Sequence, residues 1–234
     1  MDVLGKALAA YWEKKSSSDL LVHASIAETE TLHPEYFFRS FPEMPELEQH
    51  ALNLALEPVL DIGCGAGSHS LYLQNLGLTV TGIDCSAAAI AVAADRGVTQ
   101  TVCEDIWKFN TGNFRTLLLL MNGAGLAGTL ENLPRFLKKL SNLMTSDGQI
   151  LLDSSDLIYL FETDEDGGIW VPGDTNYYGE ITYQWEYNGE KGPEFPWLFV
   201  DFENLKKAAA TAGLKAEVLK FGPHYDYLAR LIRQ

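Results

Sequence analysis

Positive charge is what this sequence is short of. Its 234 residues carry 17 Lys and Arg against 32 Asp and Glu, a formal net charge of −15. Such a surface repels phosphate backbones, so nucleic acid is not an expected partner. The acids are dispersed, apart from "ETDED" from Glu162 to Asp166, which reads as a solvated loop. Long apolar runs are also missing: none approaches the roughly 18–20 residues that a membrane span needs. The first 19 residues lack the basic start and long apolar core of a secretory leader. Cysteine is scarce as well. Cys64, Cys85 and Cys103 are odd in number and have no C-x-x-C spacing, which argues against a disulfide framework and against a zinc site. There is no internal repeat, low-complexity tract or linker. These absences describe a soluble, cytoplasmic protein with no metal and no membrane partner. Its 47% hydrophobic content is ample for one large domain.

The pattern along the chain divides it in two. Residues 1–56 read as a helical cap. "VLGKALAAYWEKK" has apolar residues at helical spacing, and a second helix runs from Pro45 through "ELEQHALNLAL" to Leu56. From residue 57 to 234 the rhythm changes. "PVLDIG", "LTVTGID", "VTQTVCED", "RTLLLLMNG" and "GQILLDSSD" are strands, most of them separated by helical stretches. Alternation of this kind predicts βαβ units and a parallel sheet, and continuous apolar runs predict strands buried on both faces. "RTLLLLMNG" is the most apolar and should be central. Residues 157–200 break the rhythm with an aromatic-rich, alternating segment that predicts a small antiparallel insertion. A last helix, "FENLKKAAATAG", precedes two strands that should close the sheet in antiparallel fashion.

One stretch raises a chemical question. In "VLDIGCGAGSHS" an apolar strand ends in Asp61, and Gly63, Gly65 and Gly67 follow at alternate positions. Glycine allows a tight turn and lets a ligand come close with no Cβ in the way. In an open α/β sheet such a loop lies at the carboxyl ends of the strands, where ligands bind. Asp84 ends the next strand, 21 residues after Gly63, and Asp105 ends the third. An acid at Asp84 can accept from both hydroxyls of a ribose. Three such features in register across three strands point to a nucleoside site. The spacing is not that of a dinucleotide, since Ser68 or Ser70 falls where the third glycine of G-x-G-x-x-G belongs. Asp61 would repel a pyrophosphate and attract an amine. The site therefore suits a nucleoside with an amino-acid tail.

"LDIGCGAGSHS", "VTGIDCS" and "VCEDIW" together resemble the class I, Rossmann-like S-adenosylmethionine-dependent methyltransferases. The likeness is firm from Val59 to Asp153 and looser to Gln234. It implies an α/β fold with a seven-stranded, mostly parallel sheet, helices on both faces and an antiparallel last strand. It implies S-adenosyl-L-methionine as cofactor, with Gly63, Cys64, Gly65 and Gly67 shaping the loop under the methionine and ribose. Asp61 would orient the amino end and Asp84 would take the ribose hydroxyls. Asp105 would accept from the adenine amine, with Ile106 near the ring and Cys85 packed on one face. Asn122 would lie beside the sulfonium.

At "MNGAGLAG" the chain departs from the Pro-Pro-aromatic motif of methyltransferases acting on planar amides or base amines. That leaves Asn122 without an assigned catalytic role; it reads equally as a turn residue before Gly123. A general base is optional, and the candidates are His69, Tyr36, His33, His23 and His224. Arg39 is a candidate for the methionine carboxylate, since a guanidinium matches a carboxylate's shape; a plain surface arginine is the competing reading. Trp170, Tyr177, Tyr178, Tyr183, Trp185, Tyr187 and Trp197 form either a self-packed β-layer, a substrate lid or a dimer surface. The three cysteines are expected to converge on the pocket. The sequence thus predicts methyl transfer to a small molecule by a monomer or homodimer. A nicotinamide-dependent oxidoreductase and a non-catalytic S-adenosylmethionine-binding protein are the alternatives.

Overall fold

A computed structural model describes residues 2–14, 18–161 and 177–234 of the chain. Helix α1 (Val3–Lys14) is followed by two strands, β1 (Leu20–Ala24) and β2 (Ala27–Leu32), then by helix α2 (Glu46–Asn53). Next come β3 (Val59–Ile62), α3 (Ser68–Asn75), β4 (Val80–Asp84), α4 (Ala87–Asp95), β5 (Thr101–Cys103) and β6 (Phe114–Leu119). Helix α5 (Leu133–Ser141) leads into β7 (Met144–Ser155), and β8 (Glu180–Tyr187) and β9 (Glu190–Leu198) follow. Helix α6 (Phe202–Thr211), β10 (Leu214–Phe221) and β11 (Asp226–Arg233) complete the chain.

Seven strands form one sheet in the order β10-β11-β7-β6-β3-β4-β5, with β6 in the centre. Neighbours from β7 to β5 run parallel, while β11 is antiparallel to both β7 and β10. The continuous apolar runs are buried on both faces: all four residues of β3 are inaccessible, and so are Leu117, Leu118 and Leu119 of β6. Consecutive crossovers leave β3 in opposite directions, toward β4 on one side and β6 on the other. The carboxyl end of β3 is therefore the point where the strand order switches.

The helical reading of residues 1–56 holds at both ends and fails between them. Pro45 precedes α2 rather than opening it, and α2 stops at Asn53. Residues 20–32 form a β-hairpin that the polar run "AETETL" disguises. Its strand β1 pairs antiparallel with β8, giving a second sheet in the order β2-β1-β8-β9. The N-terminal segment and the aromatic insertion are thus one structural layer. Leu20 lies fully buried in a cluster with Val3, Ala7 and Tyr187, and α1 packs on α4 of the main body. Trp170 lies outside the described residues.

The hairpin is therefore an integral part of the fold. Leu20→Ala should lower stability by about 2–4 kcal/mol, the usual cost of emptying a closed aliphatic site, as read by denaturant unfolding. An unchanged midpoint would show that β1 contributes no core.

Candidate active site

The chain leaves β3 at Ile62 and turns through residues 63–67 into α3. Gly63, Gly65 and Gly67 take φ values of 74°, 52° and 81°, which only glycine adopts freely. A Cβ at Gly63 or Gly65 would meet no atom within 4 Å, so both backbones face open space. Gly67 differs. A Cβ there would lie 2.8 Å from Val98 Cγ2 and 3.1 Å from Ala93 Cβ. It does not line the cavity described below. It packs there, letting α3 start hard against the end of α4.

Asp84 holds the loop. Its Oδ2 accepts the Gly65 N–H at 2.9 Å and its Oδ1 accepts the Ser86 N–H at 2.8 Å. Burial pushes the carboxyl above its ordinary range against the pull of those two donors. Each oxygen keeps a further acceptor site. Ser86 caps α4 by accepting from Ala89 N–H, and its Oγ donates to Asp2 at 2.6 Å, tying α1 to the loop. Asp105 accepts the Trp107 N–H at 3.0 Å, beside the buried Ile106.

These elements border a cavity of about 1230 Å³. Asp61, Gly63, Cys64, Gly65, Asp84, Cys85, Asp105, Ile106 and Asn122 line it from the main sheet, with His69, Tyr36 and Arg39 at one end. The opposite wall is one face of the second sheet, carrying Val22, Glu30, Tyr183, Trp185, Phe195 and Trp197. Trp197 lies directly on the loop after β6: a Cβ at Gly125 would fall 2.0 Å from its indole. The aromatic segment therefore roofs the cavity. Tyr177 instead belongs to the core, its hydroxyl donating to Asp201 at 2.6 Å. The cysteines do not all converge. Cys64 and Cys85 line the cavity, but Cys103 is exposed outside it. Burial raises the thiol pKa of Cys64, and partial desolvation with the charges of Asp84 and Asp105 raises that of the exposed Cys85, so neither is a ready thiolate. Among the described residues no three His, Cys, Asp or Glu side chains converge on a metal position.

A charged network closes the Arg39 end. Glu48 is 3% exposed and accepts from Arg39 with both oxygens at 3.1 Å. It also meets His69 Nε2 at 2.7 Å. Burial alone would lower the His69 pKa; the Glu48 hydrogen bond and the Asp61 and Glu48 charges outweigh it and raise it. The Arg39 guanidinium lies 3.6 Å over the Tyr36 ring, and its buried Nε has no hydrogen-bond partner among the described residues. Asp61, 2% exposed, accepts from Ser70 Oγ at 2.6 Å. Met121 and Asn122 both take left-handed backbones, with φ of 64° and 58°. Strain of this kind collects where a loop must hold a site. The Asn122 N–H donates to Asp153 at 2.9 Å and its Oδ1 accepts from Ser155 at 3.2 Å. Burial, then the Glu48 charge, pushes the Asp153 carboxyl up to about 7.

His23, His33 and His224 do not line the cavity; they bond to Glu186 and Thr29, to Asp19, and through the backbone to Asp226. Glu48 and Asp153 were missed in the sequence. Glu48 did carry a signal, since it occupies the buried face of α2 beside Leu47, Ala51 and Leu52. Asp153 closes the apolar run "ILLD" as Asp61 closes "VLD".

Among the described residues no helix is long and apolar enough to cross a membrane. A family model described as a methyltransferase domain matches residues 59–148. A solved structure of a SAM-dependent methyltransferase from Bacteroides fragilis, in complex with S-adenosyl-L-homocysteine, is 41% identical. The match covers 100% of this chain and 95% of that one, with a TM-score of 0.92. The ubiquinone biosynthesis O-methyltransferase of Pseudomonas fluorescens is 39% identical over 80 residues, a match spanning 30% of this chain and only 34% of that enzyme. The sugar N-methyltransferase KedS8 from Streptoalloteichus, 20% identical, shares the fold with a TM-score of 0.57 over 85% of this chain and 88% of its own.

The Asp153 environment generates a pH prediction. A carboxyl with pKa raised from 3.8 to about 7 favours the folded state at low pH, and that contribution is lost as pH rises through 7. Asp153→Asn keeps the acceptor for Asn122 and removes the charge. It should be more stable than wild type at pH 8, by about 1 kcal/mol or more, with the advantage gone at pH 4. An equal difference at both pH values, read by denaturant titration, would refute the assignment.

Proposed function

This chain belongs to the S-adenosylmethionine-dependent methyltransferases, and we propose that it methylates a small molecule held between its two sheets. The observation that carries this reading is the cavity. Its volume, about 1230 Å³, exceeds the roughly 300–1,000 Å³ of a single-ligand site. One wall carries the glycine loop and strand-end acids, and the other carries aromatic rings from β8 and β9. A cofactor and an acceptor can occupy it together. The surface charge of −15 disfavours a nucleic-acid acceptor. Three free thiols suit the reducing cytoplasm, where we place the protein.

The residues present fit the cofactor. Gly63 and Gly65 form a cradle that a Cβ would fill, and the Nε of Arg39 is a buried donor awaiting an acceptor. When bound, S-adenosylmethionine supplies a methyl group on a positively charged sulfur, already activated toward an aligned nucleophile. The protein's part is then binding and orientation. Gly63, Cys64 and Gly65 would hold the methionine and ribose, and Asp84 would accept from the ribose hydroxyls. Asp105 would accept from the adenine amine, with Ile106 and Cys85 serving the ring. Asp61 would take the amino end and Arg39 Nε the carboxylate. Asn122 stands in a strained turn at the floor of the acceptor space.

Alignment of a bound nucleophile can supply several kcal/mol without any base, up to roughly 7–11 in ideal systems. His69 is not cast as a base. Its Nε2 is engaged by Glu48, whose hydrogen bond and charge raise its pKa against the lowering effect of burial. Tyr36 lies beneath Arg39, with its pKa raised by burial despite the lowering charge of Arg39. Family membership sets aside the nicotinamide alternative.

Calorimetric titration tests the cofactor assignment. S-adenosylhomocysteine should bind the wild type at micromolar concentration, and nicotinamide dinucleotide should not. Asp84→Asn, which keeps an acceptor for the loop amide, should weaken binding about 10–100-fold, the range for hydrogen bonds to a charged acceptor. Undiminished affinity in that variant would contradict the role given to Asp84.

A further inference from the structure

We infer that the acceptor is a basic amine carried on an apolar body and that Glu30 and the aromatic roof recognise its protonated form; the nitrogen would release that proton to solvent before its lone pair takes the methyl group, the C–S bonding pair staying on the cofactor's sulfur as the neutral thioether. This rests on the methyltransferase reading and concerns the half of the cavity that the cofactor residues leave over. Glu30 is opposite Val22 in the β1–β2 pair, and Val22 is opposite Trp185 in the β1–β8 pair. Residues directly opposite in antiparallel strands share a face. Glu30, Val22 and Trp185 therefore form one row across the roof, and all three line the cavity.

The charges on that wall have one sign. No Lys, Arg or His of the four roof strands lines the cavity, and Glu30 does. Among the described residues the Glu30 carboxylate has no ion pair or hydrogen bond. At the other wall Arg39 is already neutralised by Glu48. An anionic acceptor on that wall would face a carboxylate and ring faces, while the basic side chains that line the cavity, Arg39, His69 and Arg135, all lie off the roof.

Four rings of that wall, Tyr183, Trp185, Phe195 and Trp197, form one connected cluster and all line the cavity. Trp185 and Phe195 have centroids 6.4 Å apart, Tyr183 and Phe195 6.2 Å, and Phe195 and Trp197 6.2 Å. These sit near the upper end of the roughly 4.5–7 Å range for paired rings. Faces of Trp and Tyr attract cations through the ring quadrupole, most strongly out of water. The field of Glu30 reaches this cluster: after burial it is the main cause pushing the Tyr183 hydroxyl up to about 12. A carboxylate set beside open aromatic faces is a receptor for an alkylated or protonated amine.

The test uses three probes of matched size on protein saturated with S-adenosylhomocysteine: benzyltrimethylammonium, benzyl alcohol and benzoate. Binding is followed by quenching of tryptophan fluorescence and by calorimetry. The ammonium should bind about tenfold more tightly than benzoate. Glu30→Gln should cost the ammonium about five- to tenfold and leave benzyl alcohol unchanged, and Trp185→Leu should weaken the ammonium as well. Glu30 is exposed on an edge strand, so its variant should fold normally, which a thermal scan verifies. Benzoate binding as tightly as the ammonium, or an ammonium affinity indifferent to Glu30→Gln, overturns the inference. Failure of S-adenosylhomocysteine to bind in the same samples would instead overturn the cofactor assignment beneath it.

Discussion

A carboxylate taken out of water must find partners in the protein, and Glu48 finds two. Its desolvation would cost several kcal/mol if it were left alone. Arg39 and His69 answer it from two different segments, one preceding α2 and one in the first turn of α3. The network thereby fastens the N-terminal segment to the helix that follows the glycine loop. It also decides what those side chains can do. His69 has its Nε2 taken up by Glu48, and Arg39 keeps a buried Nε that has no hydrogen-bond partner among the described residues.

From that anchor the rest of the site follows. With residues 34–48 fixed, the hairpin before them is held over the carboxyl ends of the main strands, and β1 recruits β8 and β9 beside it. Asp2 and Ser86 make a second tie at the opposite side. The result is a space with two unlike walls. One is backbone and acids, built by the parallel sheet at its switch point. The other is aromatic faces and a single carboxylate, built by a sheet drawn from both sides of the methyltransferase core. Binding energy from such dissimilar walls can position a nucleophile against an activated methyl group without a dedicated acid or base.

The features that could be read in the sequence are those whose cause is local. Strand runs from Val59 to Ser155, the acids that end them and the glycines at alternate positions each follow from nearby residues, and parallel pairing then places them side by side. The second sheet had no such cause. Its strands are short and partly polar, and β1 meets a partner from far along the chain. Gly67 shows a subtler limit. Its sequence context is that of Gly63 and Gly65, yet what stands behind it is Val98 and Ala93 rather than open cavity. Glu48 was hidden because a buried charge makes sense only once Arg39 and His69 are both in place. Cys103 was misplaced for the converse reason: a strand end next to the pocket does not by itself turn its side chain inward.

The central claim is that core loop and roof make one site. Hydrogen–deuterium exchange with and without S-adenosylhomocysteine tests it directly. Protection should rise in residues 61–70 and 84–90 and, in the same titration, in α1 and the β1–β2 hairpin, while β10 and β11 stay unchanged. Protection confined to the loop, with the hairpin and α1 exchanging as before, would mean that the roof is a separate layer and that the two walls do not form a common chamber.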